Sequence, residues 1–130
     1  MSHENVGVVH ACFGAFDRGD LSAAADCLDP NVEWDNSVLI DEEVIHDRQA
    51  VLEYGERILT TFPFAHEEHR FIEAGERVCV LARLRARGAG SGVETTASGA
   101  YAMTVRDGAI IGSRFYADQA KALKAVGLAD

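Results

Sequence analysis

Residues 66 to 116 alternate apolar and polar side chains over stretches too long for loops, and this pattern limits the fold more than any other feature. Arg77 to Arg87 is the clearest case. Val78, Val80, Ala82 and Leu84 share one parity, and Leu81, Arg83, Arg85 and Arg87 share the other. A period of two puts successive side chains on opposite faces of a strand, so this segment predicts a sheet with a buried face. His66 to Ala74, Val93 to Arg106 and Ala109 to Tyr116 read as further strands. Gly75-Glu76 and Asp107-Gly108 are turn signals, and Gly88 to Gly92 is a flexible loop.

The first half of the chain has a different period. Val6, Val9, Cys12, Phe13 and Phe16 recur at three- and four-residue steps, which predicts a helix over His3 to Arg18 that Gly19-Asp20 stops. Leu21 to Leu28 predicts a short second helix capped by Asp20, and Asp29-Pro30-Asn31 a turn. Val32 to Asp35 alternates like a short strand, and residues 36–47 read as irregular and acidic. Arg48 to Phe62 predicts a third helix, ended by Pro63. Asp118 predicts the cap of a last helix running to Val126, with Gly127 just past its end. Helices first and a meander of long strands afterwards argue for an α+β domain.

Composition excludes several functions. With 130 residues, 48% of them hydrophobic, one domain can build one core. Twelve Lys and Arg against 21 Asp and Glu give a net charge of −9, which opposes binding to nucleic acid or an anionic membrane. No apolar run is long enough to span a bilayer, and the first residues lack the basic and apolar parts of a signal peptide, so a cytoplasmic location is expected. Cys12, Cys27 and Cys79 are odd in number and contain no C-x-x-C pair, which argues against a disulfide framework or a zinc site. Cys12 and Cys79 lie among apolar residues and read as small buried hydrophobes. His66 and His69 are three apart, so on a regular strand they face opposite sides; no metal is expected. Gly88 to Gly92 lacks the Lys and following helix of a phosphate loop, and no cofactor is expected.

Three stretches together carry a family resemblance. They are Phe16-Asp17-Arg18-Gly19-Asp20-Leu21 with Leu28-Asp29-Pro30-Asn31-Val32-Glu33-Trp34; Gly75-Glu76-Arg77-Val78 with Val105-Arg106-Asp107-Gly108-Ala109-Ile110; and Tyr116-Ala117-Asp118 through Gly127-Leu128. In this order they resemble the nuclear transport factor 2-like superfamily, nearest to its SnoaL-like and ketosteroid-isomerase-like branch. The resemblance implies a cone: a curved antiparallel sheet wrapped around three N-terminal helices, enclosing an apolar pocket. It also implies a homodimer joined through the outer sheet face. Isomerases, cyclases, epoxide hydrolases, dehydratases and non-catalytic binding modules all share this fold, so fold alone does not fix the chemistry.

The resemblance also nominates site residues. The ketosteroid-isomerase base matches Asp35, at the end of the first strand beside Trp34. The oxyanion Tyr position falls eight residues before Asp20, on Cys12, whose thiol is a poor donor. The second donor falls near Tyr101. The carboxylate of SnoaL-like cyclases falls three residues before Asp118, on Phe115, which cannot take a proton. Asp35 as base and Tyr101 as donor are therefore the catalytic candidates. Trp34, His46, Phe16, Tyr54, Phe62, Met103 and Phe115 are the candidate ligand-binding residues. The expected partner is a small, mostly apolar molecule, bound either for cofactor-independent isomerase, cyclase or lyase chemistry or without chemistry; the other alternative is a dimeric assembly module of the same fold.

Overall fold

A computed structural model of the chain describes residues 3–35, 44–61, 64–87 and 94–127. The helical periods become α1 (His3–Asp17), α2 (Leu21–Ala25), α3 (Arg48–Thr61) and α4 (Gln119–Ala125). The alternating segments become β1 (Leu28–Asp35), β2 (Ile45–His46), β3 (Phe64–Ala74), β4 (Arg77–Arg87), β5 (Glu94–Arg106) and β6 (Ala109–Tyr116). All six strands join one sheet in the order β2-β1-β6-β5-β4-β3. No helix among the described residues is long and apolar enough to cross a membrane.

Local chemistry sets the boundaries. Asp20 accepts from the Ala23 N–H at 3.1 Å, and Asp118 from the Ala120 N–H at 2.9 Å. Each satisfies a donor that its helix leaves unpaired. Asp47 does the same for α3 through Ala50, at 2.8 Å. Asp107 and Gly108 both have positive φ, 53° and 78°, the backbone a tight hairpin needs for its strands to keep their twist.

Three details depart from the sequence reading. The sheet is not wholly antiparallel, because β1 and β6 run parallel. Their connection passes through most of the chain, so a crossover is sterically open to it. The second helix ends at Ala25, and Leu28 already belongs to β1. Asp29-Pro30-Asn31 lies inside that strand, at a register shift between Leu28 and Glu33. Pro30 has no N–H to give a ladder, and the Asn31 N–H bonds to Asp29 Oδ2 at 2.8 Å instead. Finally, β3 carries a register shift between His66 and Glu68. His66 therefore stands opposite Leu84 and His69 opposite Ala82, positions of one parity on β4. Residue spacing sets facing only along an unbroken strand. No cluster of potential metal ligands occurs among the described residues.

Each face of the sheet has its own core. Helices α1 and α3 lie on the inner face, where Val9, Cys12, Phe13 and Val51 pack with Val32, Val78, Val80, Tyr101, Met103 and Phe115. Helix α4 lies on the outer face, where Ala122 and Val126 pack with Cys79 and Ala100. This is the mixed α+β arrangement of the cone fold, with the helices and sheet layered as the sequence implied.

Candidate functional site

Strand register decides which site residues can meet. Asp35 pairs with Arg114, Arg114 with Ala102, and Ala102 with Cys79. That row lies on the outer face. One residue earlier, Trp34 pairs with Ser113, Ser113 with Met103, and Met103 with Val78. That row lies on the inner face. The next inner row holds Phe115, Tyr101 and Val80.

Asp35 and Tyr101 therefore point to opposite sides of the sheet. Asp35 Oδ2 lies 3.7 Å from Arg114 Nε, and the Arg114 guanidinium sits over the Tyr116 ring at 5.1 Å. These side chains, with Glu33 and Arg77, line an outer-face groove of about 400 Å³. The sheet does not bring Asp35 and Tyr101 together on one face. Strand alternation puts Trp34 inward, so its neighbour Asp35 must point outward. His46 is also placed away from the inner face. It is exposed, opposite Glu33, whose parity is outward. Phe62 lies outside the described residues.

The remaining candidates gather on the inner face. Tyr101, Met103 and Phe115 are 2%, 0% and 2% exposed. The Tyr101 ring meets Phe115 at 4.9 Å and Phe13 at 5.0 Å, both edge to face, the favoured geometry for aromatic quadrupoles. Phe71 adds a further ring against Phe13, at 6.1 Å. Tyr54 of α3 is buried, and Phe16 of α1 is half-buried, packing where Gly55 leaves room for its ring. Burial pushes the Tyr101 phenol up, and the nearby Tyr54 and Asp17 push it further. Tyr101 is thus a neutral hydroxyl at ordinary pH.

Among the described residues, three buried side-chain polar atoms have no hydrogen-bond partner: Trp34 Nε1, Ser113 Oγ and Glu73 Oε2. All three belong to one inner-face row, Glu73-Val78-Met103-Ser113-Trp34. Such groups cost free energy when left alone, so their concentration on one row is informative. Sequence reasoning selected Trp34 but missed Ser113 and Glu73. Ser113 could have been found as the one small hydroxyl at an inward position of the last strand.

Cys12, at the family's oxyanion position, is committed elsewhere. Its thiol donates to Cys27, and this bond together with burial pushes Cys12 up. The same bond lowers Cys27 to about 7. Because the thiolate is the nucleophile, Cys27 will alkylate with iodoacetamide at a rate whose pH midpoint lies near 7, and Cys12→Ala will move that midpoint upward. A wild-type midpoint at the unperturbed value of 9.0 would contradict the contact.

The layered α+β architecture and the inner-face patch define a protein of the nuclear transport factor 2-like cone fold. The chain belongs to the SnoaL-like domain family, which matches residues 9–112. Among solved structures it is similar to a candidate polyketide cyclase from Xanthomonas campestris (TM-score 0.78, 21% identity, covering 96% of this chain and 98% of that one). It is also similar to TerC co-crystallised with polyporic acid (TM-score 0.77, 19% identity, 95% and 98% covered). A third is an epoxide hydrolase-like protein from Mycobacterium tuberculosis (TM-score 0.76, 18% identity, 96% and 86% covered). No curated protein sequence matches the chain.

Proposed function

We propose that this chain binds a small, mostly apolar molecule on the inner face, between helices α1 and α3 and the sheet. The observation that carries the reading is the aromatic cluster of Phe13, Phe71, Tyr101 and Phe115, which places flat apolar surface and one neutral hydroxyl together. Apolar and aromatic side chains with few polar groups are the usual lining of small-ligand sites. The likeness to TerC, co-crystallised with polyporic acid, supports the same reading. With Asp35 facing outward beside Arg114, binding without chemistry is favoured over acid–base turnover. An isomerase or cyclase mechanism would instead have to draw on Glu73, whose buried Oε2 shares the inner row. The homodimer belongs to this proposal too. Because α4 covers the part of the outer face at Cys79 and Ala100, the strip bearing exposed Arg83 and Arg85 would serve as its contact.

Trp34 is the sole tryptophan and serves as a built-in reporter. N-phenyl-1-naphthylamine, a neutral apolar probe, will show saturable energy transfer from Trp34. Its affinity will be unchanged by Asp35→Asn. A signal that rises linearly without saturating, or one abolished by Asp35→Asn, would contradict the inner-face assignment.

A further inference from the structure

We propose that the Trp34 indole N–H and the Ser113 hydroxyl form a two-donor clamp for the carbonyl oxygen of a neutral, otherwise apolar ligand. This deepens the reading above and rests on it. Trp34 and Ser113 are direct partners across the parallel β1/β6 ladder, so their side chains leave the same face from strands about 4.8 Å apart. Ser113 is 5% exposed, and neither its Oγ nor Trp34 Nε1 has a hydrogen-bond partner among the described residues. Indole offers only a donor, and a hydroxyl can turn to donate as well. A carbonyl oxygen has two lone pairs and can accept from both at once. A ligand hydroxyl would bring an O–H donor that finds no acceptor in the pair, and an amine nitrogen has only one lone pair to offer.

The surroundings set the charge of the ligand. The inward neighbours of the pair are Val32, Met103 and Phe115, all apolar and buried. Arg114 on β6 and Arg77 on β4 border the outer groove, and Arg106 on β5 pairs with Glu76. Two neutral donors in an apolar setting do not offset the desolvation of a carboxylate or phosphate, so a ketone, quinone or ester carbonyl fits and an anion does not. Phe115 lies next inward along β6 from Ser113, which places the aromatic cluster beside the clamp to receive the ligand's apolar body.

The matched probes are 9-fluorenone and fluorene, which differ by a carbonyl against a methylene on one flat skeleton. Wild-type protein will bind the ketone at least about tenfold more tightly than the hydrocarbon, the effect of satisfying a buried donor. The lone indole N–H resonance will move downfield with the ketone only. Ser113→Ala and Trp34→Phe will each lower the preference for the ketone over the hydrocarbon by about tenfold. Ser113→Ala will keep or raise the melting temperature of the ligand-free protein, because it removes an unpaired buried hydroxyl; this guards against a folding defect. Equal binding of the two probes by wild type, or a preference that survives Ser113→Ala, overturns the clamp while leaving the inner-face reading intact. If neither probe binds, both the clamp and the inner-face reading fall.

Discussion

Phe115→Ala will destabilise the protein by about 3–5 kcal/mol, measured by urea unfolding. The ring is 2% exposed and packs edge to face on Tyr101, so its removal loses both transfer free energy and the aromatic pair, and leaves a cavity. The same ring dictates what its neighbour can be. Gly99 lies opposite Ala82 on the inner face, and a Cβ there would come within 2.2 Å of Phe115 Cζ. Gly99→Ala should therefore cost about 1–3 kcal/mol by overpacking. The two losses will not add. Without the ring, most of the alanine clash disappears, and what remains is the Tyr116 carbonyl at 3.0 Å. The double variant will be more stable than the sum of the single effects implies, by about 1 kcal/mol or more. Strict additivity would mean that the ring does not rest on Gly99.

The second large effect concerns the outer face. Ala122→Glu will cost about 3–5 kcal/mol, because it places a carboxylate at a fully buried position among apolar side chains. Its neighbours in that layer, Cys79, Ala100 and Val126, are apolar. Helix α4 is short and is held by few contacts: the Asp118 cap, the Gln119 side chain on the Gly99 carbonyl at 3.0 Å, and Arg77 on the Ala125 carbonyl. The helix will come away before the sheet does. Hydrogen exchange should then accelerate at the Ala122 and Val126 amides and stay slow in β4 and β5. If α4 keeps its protection and the unfolding midpoint is unchanged, Ala122 does not anchor this layer.

Much of this architecture was legible because it follows local rules. Strand β4 spans the residues its alternation marked, and Asp107-Gly108, Asp118 and Gly127 act where turn and cap chemistry put them. The site was less legible, for two physical reasons. Strand bulges change parity without leaving a mark in a hydrophobic pattern, as the shift between His66 and Glu68 shows. Facing also depends on register rather than on sequence position. Asp35 and Trp34 are adjacent in the chain, but only pairing with β6 shows that one meets Arg114 outside and the other Ser113 inside. The parallel β1/β6 contact joins residues about eighty apart in the chain, and short-range periodicity does not report such pairings.

The proposed ligand site is the inner face. Methyl-resolved NMR during titration with N-phenyl-1-naphthylamine tests it directly, because each face carries its own methyl groups. Saturating shifts are expected at Val9, Val51, Val80 and Met103, which lie in the inner core with Tyr101 and Phe115. Shifts confined to Leu81, Leu123 and Val126, around α4, would place the ligand on the outer face and contradict it.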